Sequence, residues 1–301
     1  MRACVRRRAM STPVAIPDGY GPPLVVAGIA GGGTRVPARL LVELGFFIGE
    51  DLNEALDNLT CTLLLKRPRW YCRAATRQRR VNAAARPLVR SLTDASPPTA
   101  REWLTLVGAM LGTMPRGNDR LGRRRGRHWA PGAVRRLLAS RGHDPAQRAG
   151  WGWKEPNTIV LLPELVNAFP GMRFLHVYRD PERIARAGKD TTRAMVINWS
   201  RQLGLRPPAR RGEDLVEPTL RFCRLVSERT DRIGRERLGS RYHKLDVDRL
   251  VAEPEGEIDG LLAFLGVAVD AETRARLLAV PSADRLAGSL SGGASAARRR
   301  A

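Results

Sequence analysis

LVVAGIAGGGTRVPARLLVELG, residues 24–45, reads as a buried strand, a glycine-rich turn and an amphipathic helix. Leu24, Val25, Val26, Ala27 and Ile29 form an apolar run bounded by Pro23 and by glycines, the pattern of a central parallel strand. Gly31, Gly32 and Gly33 follow without side chains, so the backbone turns tightly and brings amide N–H groups toward one point. Leu40, Leu41 and Leu44 recur at helical spacing, with Pro37 tolerated in the first turn and Gly45 as a stop. The segment predicts an anion cradle at a helix N-terminus, where unpaired amides and the helix dipole act together. Against the nucleotide pattern G-x-x-x-x-G-K-[ST], Gly28 and Gly33 are correctly spaced, but Thr34 stands at the lysine position and Arg35 at the magnesium-binding hydroxyl. That argues against a magnesium-dependent nucleotide hydrolase. A strand-to-helix turn that binds nothing is the alternative.

The remaining sequence decides between these. A chain of 301 residues with 43% hydrophobic content supports one α/β domain with terminal extensions. The formal net charge of +22 is localised: +4 in residues 1–10, +7 in 66–80, +8 in 116–148 and +3 in 298–300, with the rest balanced. A dedicated nucleic-acid site is disfavoured by an aromatic content of 5% and by the lack of any recognisable nucleic-acid module. A solvated basic surface, which would also draw in an anionic substrate, is expected instead. Only Lys66, Lys154, Lys189 and Lys244 are lysines among 52 basic residues. The four cysteines have neither C-x-x-C spacing nor a histidine cluster, so no metal site is expected. No run of 18 apolar residues and no secretory signal is present, which predicts a soluble, cytoplasmic protein that binds no membrane. Met10 followed by Ser11 offers an alternative start.

In chain order, residues 1–20 are expected to be a disordered basic arm, 21–285 the α/β domain with a basic insertion at 115–150, and 286–301 a disordered tail. After the cradle, Phe46, Phe47 and Ile48 look buried, and Glu50, Asp51, Asn53, Glu54 and Asp57 cluster beyond them. That cluster offers a general base, or alternatively a helix turn capped by Asp51 or Asn53. Residues 59–90 run from Leu63–Leu65 into an Arg-rich helical segment. Thr99 and Glu102 form a capping box ahead of Trp103, Leu104, Leu106, Val107 and Met110, a predicted amphipathic helix. Within the insertion one short helix is expected at Ala133 to Ser140.

Trp151-Gly-Trp-Lys154-Glu-Pro156 places Lys154 in a rigid extended turn suited to a phosphate or sulfate, with an ordinary surface lysine as the alternative. Phe174 to Tyr178 supply a second central strand, and Arg179-Asp180-Pro181 opens a helix. Arg179 therefore sits at the carboxyl edge of a strand, where open α/β sheets bind ligands, and its guanidinium suits a phosphate unless Asp180 or Glu182 pairs with it. Helices are expected over 217–238, 254–265 and 270–280, with a third strand beginning near Arg241.

Three of these segments together resemble the sulfotransferase family. GIAGGGTRVPARLL (28–41) is similar to its 5′-phosphosulfate loop, FLHVYRDPERIARA (174–187) to its 3′-phosphate strand-loop-helix, and KLDVDRLVAEPEGEIDGLLAFLGV (244–267) to its closing strand and helix. The resemblance, with WKEP added, spans about residues 23–270. It implies a three-layer α/β sandwich with a central, mostly parallel, P-loop-like sheet. It also implies transfer of a sulfuryl group from 3′-phosphoadenosine 5′-phosphosulfate to a hydroxyl or amine of a small-molecule or glycan acceptor, without metal. On that resemblance Gly31, Gly32, Gly33, Thr34 and Arg35 hold the phosphosulfate and Arg179 the 3′-phosphate, while Lys154 stabilises the transferring group and Asp51 or Glu50 is the base. Two positions depart from it. Most relatives carry Lys or Arg where Gly31 stands, so that Arg35 or Lys154 would have to substitute, although a bacterial subset reads Gly-Gly-Ser-Gly-Thr-Arg here. The usual serine of the 3′-phosphate site is Ala187, a loss of about 1 kcal/mol for one hydrogen bond. Two other readings compete: a P-loop-like kinase using ATP, and an inactive Arg-rich nucleic-acid binder on the same scaffold.

Overall fold

The computed structural model describes residues 12–72, 76–94, 96–113, 129–208 and 215–286. Its centre is a five-stranded, all-parallel sheet in the order β2-β3-β1-β4-β5, with β1 at Leu24–Gly28, β2 at Phe46–Phe47, β3 at Gly150–Lys154, β4 at Arg173–Tyr178 and β5 at Tyr242–Asp246. The predicted strand at 24–28 is therefore the middle one, buried at every residue. Alternation along it builds two cores. Val25 and Ala27 face the side packed by Phe222 and Val226 of the Val216–Ile233 helix, Met195 and Trp199 of Asp190–Trp199, and Leu88 of Arg77–Leu92. Leu24 and Val26 face Leu40 and Leu41 of Arg35–Glu43, Leu250 of Val247–Ala252, Ile258 and Leu261 of Pro254–Leu265, and Leu277 of Ala271–Leu286. The result is the expected three-layer sandwich, with helices on both faces of a parallel sheet.

β3 is a strand where the sequence suggested only an extended turn. Gly152 explains why no aliphatic run marks it: a Cβ there would lie 1.8 Å from the Leu24 carbonyl oxygen, so Trp151 and Trp153 must flank a residue without a side chain. Residues 12–20 correct the expectation of a loose arm, because Val14 is buried and donates its amide to Ala168 O, and the Tyr20 hydroxyl donates to His143 O. Residues 1–11 and 287–301 lie outside the described residues, as do 114–128 of the insertion. The insertion's described helix is Trp129–Ala139.

The capping box forms as expected: Thr99 N and Oγ1 donate to Glu102 Oε2 while Glu102 N donates to Thr99 Oγ1. The helix it opens, Ala100–Thr113, buries only part of the predicted stripe, with Met110 half-buried against the core. Leu106 and Ala109 face the core, whereas Trp103, Leu104 and Val107 are exposed.

Candidate anion site and acceptor pocket

The turn after β1 lies between the carboxyl ends of its two neighbours, β3 with Lys154 and β4 with Arg179, where open parallel sheets place their ligands. Its backbone admits only glycine at two places. A Cβ on Gly28 would lie 2.3 Å from the Val177 carbonyl, and Gly31, at φ +86°, would drive one to 2.4 Å from Thr192 Oγ1. Gly32 turns its amide inward to Ile29 O at 2.9 Å, so that one N–H is spent on closing the loop. Thr34 is buried at the helix start, and Arg35 begins the helix, reaching Glu54 O with Nη1 at 3.5 Å.

Arg179 is brought to the same place: its Cβ lies 3.8 Å from the position a Gly32 Cβ would take. The surface pairings with Asp180 or Glu182 do not form. Asp180 instead caps its own helix by accepting from Glu182 N and Arg183 N. Arg179 is 9% exposed and anchored by Asp248, which takes its Nε at 3.3 Å and Arg183 Nη1 at 3.1 Å. Its Nη1 is buried without a hydrogen-bond partner. Burying a guanidinium nitrogen unpaired is costly, so this atom marks a place for an acceptor oxygen. Ala187 ends the Pro181–Ala187 helix ahead of a left-handed Gly188 and offers no side-chain donor.

Lys154 is 1% exposed, not a surface lysine, and its Nζ is committed to Asp57 Oδ1 at 2.6 Å and Ala55 O at 2.7 Å. Asn53 shapes the loop that holds it: Oδ1 accepts from Ala55 N and Asp57 N, and Nδ2 donates to Asp57 Oδ2. The turn forces Leu56 to φ +60°, a conformation that costs a non-glycine residue free energy. This loop touches both Arg35 and Lys154, tying the cradle to β3. Glu155 beside it is fully buried and accepts from Asn157 Nδ2 at 2.7 Å. Burial pushes its carboxyl up to about 7, with Lys66 pulling it down and Asp57 adding to the rise.

Asp51 and Glu50 lie on a pocket of about 190 Å³ between the residue 49–51 loop, the end of the Arg77–Leu92 helix and the Trp129–Ala139 helix. Asp51 is not a helix cap; Asn58 caps the following helix through Oδ1 to Cys61 N. Arg136 Nε bonds Asp51 Oδ1 at 2.7 Å, while Asp51 Oδ2 is buried with no partner. Glu50 is exposed. Thr60, Ser91 and Ser140 contribute small polar walls, and among the described residues no aromatic residue lines the pocket.

Sequence reasoning missed Lys189, whose stem lies against Gly31, and it missed the choice of Asp57 as the partner of Lys154. The scarcity of lysines was a signal for Lys189, but nothing local to it pointed at the cradle. Among the described residues no group of three His, Cys, Asp or Glu side chains could hold a metal ion, and no helix is long and apolar enough to cross a membrane.

A comparison with curated proteins gave no match. Among solved structures the chain is similar to the sulfotransferase STF9 from Mycobacterium avium, at 18% identity over 90% of this chain and 69% of that one, with a TM-score of 0.43. It is also similar to the sulfotransferase STF1 from Mycobacterium tuberculosis H37Rv, at 17% identity over 88% and 71%, with a TM-score of 0.42. A third likeness is the sulfotransferase domain of the Synechococcus PCC 7002 olefin synthase, at 18% identity over 96% and 87%, with a TM-score of 0.40. These likenesses are too distant to bear on the chemistry of the site. The model of the family described as "Sulfotransferase family" matches residues 47–271, from just past the cradle to the start of the last helix. With most of its length so matched, the chain belongs to the sulfotransferase family.

Proposed function

We propose that the protein moves a sulfuryl group from 3′-phosphoadenosine 5′-phosphosulfate to a hydroxyl or amine of a small-molecule acceptor. The observation that carries this reading is the buried, unpartnered Arg179 Nη1 beside a loop whose Gly28 and Gly31 leave no room for a Cβ. A buried guanidinium nitrogen left unpartnered beside a turn closed by glycines fits an anionic group held between the two. Gly31 to Arg35 would hold the phosphosulfate and Arg179 the 3′-phosphate, its orientation fixed by Asp248. When bound, the cofactor supplies a sulfuryl group whose bond to the 5′-phosphate oxygen breaks as a bond to the acceptor oxygen or nitrogen forms.

The chain's own residues neutralise the leaving phosphate, align the acceptor and take its proton. Asp51 is the base in this reading. Arg136 holds Oδ1, leaving Oδ2 to accept the proton of a group seated in the 190 Å³ pocket. The small polar walls of Thr60, Ser91 and Ser140 favour a compact hydroxyl or amine acceptor. Lys154 shapes the site through the 53–57 loop.

The test is incubation with cofactor labelled in its sulfuryl group, followed by mass spectrometry of candidate acceptors. A labelled product formed in step with adenosine 3′,5′-bisphosphate is expected. A phosphorylated product from ATP, with no transfer from the labelled cofactor, would overturn the reading in favour of a kinase.

A further inference from the structure

The space beside Gly31 is already filled. A Cβ there would meet Thr192 Oγ1 at 2.4 Å, Thr191 Oγ1 at 3.3 Å and Lys189 Cδ at 3.3 Å. These residues open the Asp190–Trp199 helix, which is fixed to the loop twice: Thr192 Oγ1 donates to Ala30 O at 2.6 Å, and Ala30 N donates to Met195 Sδ at 3.3 Å. Lys189 precedes that helix in extended backbone, so its stem lies along the cradle. No side chain can project from position 31 without displacing this packing. Any cation serving that side of the loop must come from elsewhere in the chain.

Lys189 is placed to be that cation. Arg179 approaches the same loop at Gly32, and Arg35 follows it directly at the head of the first helix. The half-buried Lys189 ammonium is held below its ordinary range by burial first, then by Arg179 and then by Arg35. The influence of Arg179 and Arg35 on the Lys189 ammonium shows that the three cations lie within electrostatic reach of one another around one concave backbone turn, a grouping that attracts a polyanion.

We propose that Lys189 is the cradle's own ligand-binding cation, which with Arg35 forms a receptor for the phosphosulfate end of the donor beside the Arg179 that serves the 3′-phosphate, in the role that Lys or Arg at position 31 would otherwise fill. This rests on the nucleotide reading above. In the transfer itself the bond between sulfur and the 5′-phosphate oxygen breaks, and the electron pair stays on that oxygen. Lys189 holds the charge that accumulates there, the sulfur–acceptor bond forms, and the acceptor's proton passes to Asp51.

The experiment is titration calorimetry of adenosine 3′,5′-bisphosphate and of inorganic pyrophosphate into the wild type, Lys189→Met and Lys189→Arg. Melting of each protein without ligand is measured alongside. Lys189→Met should weaken both ligands about ten- to a hundredfold, the loss of one charge-assisted contact. Its ligand-free melting should remain cooperative, because the stem that packs against the loop remains. Lys189→Arg should keep most of the affinity. Lys189→Gln, which keeps polarity without charge, gives the same test should the methionine variant fold poorly. A wild type that binds the bisphosphate, with Lys189→Met within twofold of it, would overturn the role of Lys189 and leave the nucleotide reading standing. Binding of pyrophosphate that depends on Lys189, without binding of the bisphosphate, would uphold the anion receptor and sink the nucleotide reading. Binding of neither ligand would remove both.

Discussion

Replacing Gly31 with alanine tests the packing that defines the cradle. At φ +86° a residue with a Cβ is strained by about 1–2 kcal/mol. The new Cβ would also stand 2.4 Å from Thr192 Oγ1, so the buried Thr192 must rotate or shift and give up its 2.6 Å bond to Ala30 O. That adds about 1 kcal/mol. The sum, about 2–3 kcal/mol, corresponds to a fall of roughly 3–6 °C in melting temperature for a domain of this size. Thr192→Ala removes the clashing oxygen and already forfeits the bond. In that background Gly31→Ala should therefore cost only the backbone strain, and the double-mutant cycle should show a coupling of about 1 kcal/mol. Thermal melts of the four proteins measure it. A Gly31→Ala protein that melts with the wild type, or strictly additive effects, would refute the argument that this loop is closed to side chains by the Asp190–Trp199 helix.

Glu155 should make stability depend on pH. Its folded-state value of about 7 lies above the ordinary 4.5, so the native state holds a proton that the unfolded chain releases between those values, and stability falls as pH rises through that window. Urea melts of Glu155→Gln should therefore gain on the wild type from pH 5 to pH 8, at about 1.4 kcal/mol per unit of difference as an upper bound; parallel profiles would contradict this. Lys154→Met leaves Asp57 without its buried partner and should cost about 3 kcal/mol, with part of the loss recovered in Lys154→Met/Asp57→Asn by chemical denaturation. A neutral Lys154→Met would mean that the ion pair is not formed in solution. Asp51→Asn should lower turnover with a suitable acceptor by two orders of magnitude or more, while affinity for adenosine 3′,5′-bisphosphate stays within twofold. Unchanged turnover would remove Asp51 as the base.

The parts of this molecule that were legible in its sequence are those whose cause is local. An apolar run closed by three glycines and followed by leucines at helical spacing places β1, the turn and the Arg35–Glu43 helix almost to the residue. The capping pair Thr99 and Glu102 places a helix start just as directly. What a helix or a side chain meets across the fold was not legible. Ala100–Thr113 packs on the Arg77–Leu92 helix and its Glu102 pairs with Arg90, so Leu106 and Ala109 turn inward while Leu104 stays outside. Lys154 looked suited to a phosphate or sulfate because nothing in its neighbourhood of sequence announced Asp57 as its partner. Lys189 escaped notice for the same reason, since its place beside Gly31 follows from docking of the 190–199 helix on the loop. β3 went unread because Gly152 answers to the Leu24 carbonyl on the adjacent strand.

The central claim is that the turn after β1 and Arg179 after β4 hold one ligand with two anionic ends. Titration calorimetry of adenosine 3′,5′-bisphosphate into the wild type and Arg179→Ala, at fixed moderate salt, addresses it most directly. A single site per chain in the wild type is predicted, weakened tenfold or more in Arg179→Ala as one charged, buried donor is lost. The same affinity in both proteins, or no binding to either, would contradict it.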